Sequence, residues 1–165
     1  RQKSLQGDIA IVRIMNQMGV MSTFEADGVV LQKIPHSKEV DIDFSDCPDL
    51  AQTVAVVAGV KHIQCRMTGL ESLRIKETDR IKALKRELKK FKIKLKEIEE
   101  GVWEVKSKFE VGQPEVEVET YEDHRMAMAF APICTQQDLT ILNPEVVSKS
   151  YPSFWEHVAL TTDLS

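Results

Sequence analysis

The sequence has little of what usually announces a function. Three cysteines, Cys47, Cys65 and Cys134, are too few and the wrong number for a disulfide scaffold. They lie in or beside apolar runs and read as reduced thiols of a cytoplasmic protein. The four histidines and three cysteines show no metal-ligand spacing, so no metal site is expected. Positive charge is not in surplus. Twenty-two Lys and Arg stand against 26 Asp and Glu, a net charge of −4. That balance argues against general nucleic-acid binding and confines any anion site to a local cluster. No apolar run approaches the length of a membrane span. There is no glycine-rich phosphate loop, no linker and no low-complexity tract. The chain opens on Arg1 without an initiator Met, and Arg1 to Gln6 reads as the tail of an element already under way. A piece of a longer protein is therefore expected.

What remains is an ordinary globular composition, 42% hydrophobic and 29% charged, in a chain long enough for one domain with a real core. Apolar spacing predicts a helix from Gly7 to Gly19 with Ile11, Ile14, Met15 and Met18 on one stripe. Val20 to Lys33 reads as a hairpin turning at Asp27–Gly28. Val40 to Phe44 alternates like a half-buried strand. Asp49 to Ala58, nearly all small and apolar, reads as a buried helix with Asp49 near its N-cap. His62 to Met67 is a strand. A helix follows to about Phe91, then a hairpin of Lys92–Ile98 and Val102–Lys106, and a strand from Val116 to Thr120. Asp123 to about Cys134 is a second buried helix that Pro132 kinks or ends. Leu139 to Leu142 is a strand, and Pro152 suits the first turn of a last helix, 150–162.

This order repeats at an offset of about 73–74 residues, because helix, hairpin, strand, buried helix and strand occur twice. Gly28 falls on Gly101, Asp49 on Asp123 and Lys76 on Lys149. The expected fold class is α+β or mixed α/β, built from two similar units at roughly 1–70 and 71–145 plus the beginning of a third. If the units pack side by side, their helix N-termini can converge on one edge, where free N–H groups suit phosphate.

The stretch "LRIKETDRIKAL" at 73–84 crowds Arg74, Lys76, Glu77, Asp79 and Arg80 at the start of a helix. Cations there oppose the helix dipole at about 0.3–1 kcal/mol each. Taken singly, these residues have plain readings: Glu77 and Arg80 an intrahelical ion pair, Lys76 a solvated side chain, Asp49 an N-cap. His124 alone reads as a structural histidine and Lys149 says little. "YEDHRMAMAFA" is harder to dismiss. It sets Asp123, His124 and Arg125 before a helix with no polar face, so the cation must be paired, exposed at the tip or bound to a ligand. The basic run from Lys82 to Lys96 alternates with core residues and reads as a solvated face. Cys47 lacks a basic partner in sequence and reads as packing.

Five stretches taken together resemble the 3-phosphoshikimate 1-carboxyvinyltransferase family. They are "LQGD" at Leu5–Asp8, "DCPDLAQTVAVVA" at Asp46–Ala58, "LRIKETDRIKAL" at Leu73–Leu84, "DHRMAMAFA" at Asp123–Ala131 and "SKSYPSFW" at Ser148–Trp155. They occur in family order and cover essentially the whole chain. The resemblance implies an enolpyruvyl transferase-like fold of repeated βαβαββ-type units with buried helices and sheets outside. It makes this chain one incomplete lobe, with the other lobe absent. The implied reaction moves the enolpyruvyl group of phosphoenolpyruvate to the 5-hydroxyl of shikimate 3-phosphate, without metal or organic cofactor.

Residue by residue, the resemblance makes Asp49 the carboxylate near the 5-hydroxyl and Glu77 the acid/base near the methylene carbon. Lys76 becomes a shikimate 3-phosphate ligand, and Arg80 and Arg125 the phosphoenolpyruvate-binding arginines. His124 lies beside them, and Lys149 on the phosphate side. Ser72 stands where many members of the family have Asn, a departure that shortens the reach toward shikimate 3-phosphate. Each charge-assisted bond to phosphate, at about 1.5–3 kcal/mol, exceeds the dipole cost of the cations. The chain alone is expected to be inactive and the full-length protein a monomer, with no nucleic-acid or membrane partner. Two rival readings stand beside this. One is a non-catalytic phosphate- or RNA-binding module, disfavoured by the acidic charge. The other is the related UDP-N-acetylglucosamine carboxyvinyltransferase, which lacks these segments.

Overall fold

The computed structural model describes residues 9–74 and 79–162. The described chain runs α1 (Ala10–Gln17), β1 (Val20–Phe24), β2 (Val29–Lys33), β3 (Glu39–Asp43), α2 (Ala51–Val60) and β4 (Gln64–Thr68). It continues with α3 (Arg80–Lys90), β5 (Ile93–Glu99), β6 (Val102–Ser107), β7 (Val116–Val118), α4 (His124–Phe130), β8 (Leu139–Ile141) and α5 (Phe154–Thr162). The architecture is mixed α/β, as the apolar periodicities predict. Helix, antiparallel hairpin, strand, helix, strand occurs first from α1 to β4 and again from α3 to β8.

The two rounds interlock. In each, a helix links two parallel strands: β3 pairs with β4 across α2, and β7 with β8 across α4. The hairpin β5–β6 does not stand alone. β6 adds antiparallel to β4, so the largest sheet has the order β3-β4-β6-β5 and draws strands from both rounds. The hairpin β1–β2 and the pair β7–β8 are each two-stranded sheets among the described residues. The outer hairpin leaves Val29, Val30 and Leu31 exposed.

The core lies between this sheet and the helices. Alternation puts Val40, Ile42, Cys65, Met67, Ile93, Leu95 and Val105 inside. α2 is buried nearly all round, with Ala51, Val54, Ala55 and Ala58 fully inaccessible. It packs against both α4 and the sheet. Close approach is built in at Gly59, where a Cβ would meet Ile93 at 2.5 Å. α3 is amphipathic, with Ile81, Leu84 and Leu88 inside. It also buries Glu87 completely, and that carboxylate accepts from Lys90 Nζ (2.6 Å), the Tyr121 hydroxyl (2.8 Å) and the Glu119 N–H (3.1 Å). No disulfide joins the three cysteines, and burial pushes the Cys65 thiol up to about 12. Among the described residues no helix is long and apolar enough to cross a membrane, and no group of metal-ligating side chains assembles.

Three local expectations change, and the break expected at Pro132 is found. Asp49 does not cap a helix. It lies inside a 3-10 turn, Pro48–Leu50, that precedes α2, and its carboxylate is engaged elsewhere. The helix expected across 73–91 starts at Arg80 with Asp79 as its N-cap, which accepts from Lys82 N–H at 3.0 Å. Glu71–Arg74 forms a separate 3-10 turn. α4 ends at Phe130 and tightens into a 3-10 segment, Ala131–Thr135, because Pro132 has no N–H for the α-helical ladder. The last helix begins at Phe154 rather than near 150, after a turn in which Phe154 N–H bonds Tyr151 C=O.

Candidate active site

Three helix starts meet at one place. Asp49 precedes α2, Arg80 is the first residue of α3, and Asp123 is the N-cap of α4. The packing of α2 on α4 brings the two equivalent aspartates of the repeat to opposite sides of Arg80. Arg80 Nη1 donates to Asp49 Oδ1 at 3.2 Å, and Arg80 Nε to Asp123 Oδ2 at 2.9 Å. Arg125, one residue inside α4, donates from Nη2 to Asp49 Oδ2 at 2.7 Å. Asp49 thus bridges two guanidinium groups contributed by different helices.

The members of this cluster differ in access. The Asp123 side chain is 7% exposed, whereas Asp49 is 36% and Arg125 30% exposed. Asp123 is an anchor. Its Oδ1 accepts from the Arg125 backbone N–H at 2.9 Å, and its Oδ2 from the fully buried Gln52 side chain at 3.2 Å. Asp49 and Arg125 face outward and can meet a solute. A guanidinium has five N–H donors in a planar fork. The aspartates take two from Arg80 and one from Arg125, so the cluster holds cationic donors in fixed positions with capacity for a phosphate or carboxylate. The adjacent α2 and α4 starts add partial positive charge of the same sense.

His124 opens α4 beside Arg125. Its pKa is lowered, first by partial burial and then by the Arg125 charge, so the imidazole is neutral near pH 7. A neutral ring can accept or donate one hydrogen bond without adding charge to the cluster.

Of the eight residues singled out by sequence, Asp49, Arg80 and Arg125 are in direct contact, and His124 adjoins Arg125 in the chain. Ser72 lies in the 3-10 turn Glu71–Arg74 and is exposed. Lys149 is also exposed, just beyond the Pro144–Val147 turn that packs on α4. Among the described residues, neither makes a hydrogen bond or ion pair to the Asp49 cluster. Lys76 and Glu77 lie outside the described residues. Two residues of the cluster were not anticipated, Gln52 and the anchoring role of Asp123. Gln52 carried a signal, being a lone amide in an otherwise apolar helix. Asp123 carried one too, because the repeat register already equated it with Asp49.

A sequence model of EPSP synthase (3-phosphoshikimate 1-carboxyvinyltransferase) matches residues 1–158. The 3-phosphoshikimate 1-carboxyvinyltransferase of Bacteroides fragilis is 42% identical over 155 residues, covering 93% of this chain and 38% of that protein. That of Methanobrevibacter smithii is 39% identical over 153 residues, covering 93% and 34%. EPSP synthase from Acinetobacter baumannii shares the fold with a TM-score of 0.68 at 24% identity, covering 93% of this chain and 38% of that one. The chain thus spans little more than a third of the length of the relatives it matches. It belongs to the EPSP synthase (3-phosphoshikimate 1-carboxyvinyltransferase) family.

Proposed function

We propose that this chain supplies one lobe of a 3-phosphoshikimate 1-carboxyvinyltransferase and half of its active site. The observation that carries this reading is Asp49 held between Arg80 and Arg125 where three helix starts converge. In the proposed reaction the 5-hydroxyl oxygen of shikimate 3-phosphate bonds to C2 of phosphoenolpyruvate, its proton leaves, and the methylene carbon gains a proton. Loss of phosphate and of one methyl proton then restores the enol double bond. The substrates are anions throughout, so fixed cations do most of the binding.

Asp49 orients and takes the hydroxyl proton. Its two arginine partners hold both carboxylate oxygens in fixed positions. Arg80 and Arg125 take the phosphoenolpyruvate anion through their remaining donors. Glu77, by resemblance, moves protons at the methylene carbon, Lys76 and Ser72 hold shikimate 3-phosphate, and Lys149 reaches the phosphate of phosphoenolpyruvate. His124 flanks that site as a neutral hydrogen-bonding group. The remaining cations come from the rest of a longer polypeptide, which closes the cleft and excludes water.

The test is phosphate release from phosphoenolpyruvate and shikimate 3-phosphate by the full-length polypeptide and by Glu77→Gln and Arg125→Ala. Activity that needs shikimate 3-phosphate and falls in both variants is expected. Full activity in both would refute the site, and turnover with UDP-N-acetylglucosamine in place of shikimate 3-phosphate would refute the substrate. The 165-residue chain alone is expected to show no turnover.

A further inference from the structure

A second concentration of positive charge lies at the other end of the sheet. A cavity of about 860 Å³ is lined by the start of β4, the second half of α3, the start of β5 and the end of β6. Lys85, Lys89, Lys92, Lys94, Lys106 and Lys108 are among its lining residues, with His62 beside them. Arg80 and Lys89 are nine positions apart on α3, which at about 1.5 Å per residue separates this cavity from the Asp49 cluster by about 14 Å along that helix. The lysines come from three elements, so their convergence is a property of the fold and not of one charged run.

Two lysines are partly neutralised: Lys106 by Glu104 at 2.8 Å and Lys92 by Glu110 at 2.6 Å. Among the described residues, Lys85, Lys89, Lys94 and Lys108 make no ion pair. The arrangement also contains two like-charge juxtapositions. Lys94 is directly opposite Lys106 in the β5–β6 register, a destabilising cross-strand pair. Lys85 and Lys89 are four apart on one face of α3, again unfavourable. The dipole of α3 accounts for Lys89 in its last turn, but not for Lys85 or for the strand pair. Folding alone does not require this repulsion, and an anion in the cavity would relieve both pairs together.

The geometry points to a binding site for a small, multiply phosphorylated anion, separate from the candidate active site. The volume is that of a small-molecule pocket. Lysines act as point charges and suit a chain of phosphates without demanding one orientation. No Phe, Tyr or Trp lines the cavity, so there is no platform for stacking successive bases of a nucleic acid. The site does not depend on the proposed transferase reading.

The probe is inorganic tripolyphosphate, titrated calorimetrically into the 165-residue chain at fixed ionic strength. Saturable one-to-one binding that weakens as salt rises is expected. The double variant Lys94→Gln/Lys106→Gln should bind at least tenfold more weakly, and without tripolyphosphate Lys94→Gln alone, which keeps the Lys106–Glu104 pair, should melt higher than the parent because the cross-strand repulsion is gone. Arg125→Ala should bind as the parent does. ATP should bind no more tightly than tripolyphosphate. The proposal is overturned by absence of saturable binding, by binding that Arg125→Ala abolishes and the lysine variant does not, by a marked preference for ATP, or by tighter lysine-dependent binding of a single-stranded RNA.

Discussion

Arg125 Nη2 lies 2.7 Å from Asp49 Oδ2, although 76 residues separate them in the chain. The contact exists because α2 and α4, the equivalent helices of the two rounds, pack with their starts together. Both side chains are partly exposed, so the pair adds little to stability, about 1 kcal/mol or less. Its larger effect is expected in catalysis by the full-length polypeptide. Asp49→Asn keeps the shape and removes the proposed base, and should lower kcat by about 10²–10⁴-fold. Arg125→Ala should raise KM for phosphoenolpyruvate as well. Steady-state phosphate release, varying each substrate in turn, separates the two effects.

His124 gives a pH signature. Its folded-state pKa is depressed below the ordinary 6.5, so the folded chain binds fewer protons there than the unfolded one. The contribution of this group to stability is complete above about pH 6.5 and is lost as pH falls through the lower folded value. NMR titration of the His124 ring should show the depressed midpoint. Arg125→Ala, which removes the second cause of the shift, should move it upward.

Glu87 is the buried charge on which α3 depends. Glu87→Ala would take the acceptor from the Tyr121 hydroxyl and the Glu119 N–H and leave the Lys90 ammonium with only the Glu117 C=O and solvent. A loss of about 3–5 kcal/mol is expected, measured by urea unfolding. Glu87→Gln, which keeps an acceptor, should cost less.

Gly59 tests the packing of α2 on β5. An alanine there would place Cβ within 2.9 Å of three Ile93 side-chain carbons, and Ile93 has no room to move in the core. Gly59→Ala should destabilise by about 1–3 kcal/mol. Adding Ile93→Val should recover part of that loss in thermal melts.

Most elements were legible because their signals are local. The alternation of Val40 and Ile42, the turn at Asp27–Gly28 and the all-apolar face of α2 each point one way. Asp49 was misread as a cap because an Asp after Pro at a helix start fits that role, and nothing local reveals two arginines arriving from 31 and 76 residues away. The pairing of β6 with β4 was equally invisible, since strand order across repeats is decided by which exposed edge lies nearest. The convergence of Lys85, Lys94 and Lys106 was missed for the same reason. Along the chain they are three solvated lysines, and only the sheet places them around one hollow.

The sheet β3-β4-β6-β5 has a consequence for how the chain comes apart. Because its strands are pooled from both rounds, neither round is an autonomous module that could melt while its neighbour survived. Cutting the polypeptide near residue 70 should therefore yield two fragments that each fail to fold, and the intact chain should lose its secondary and tertiary signals in a single cooperative step.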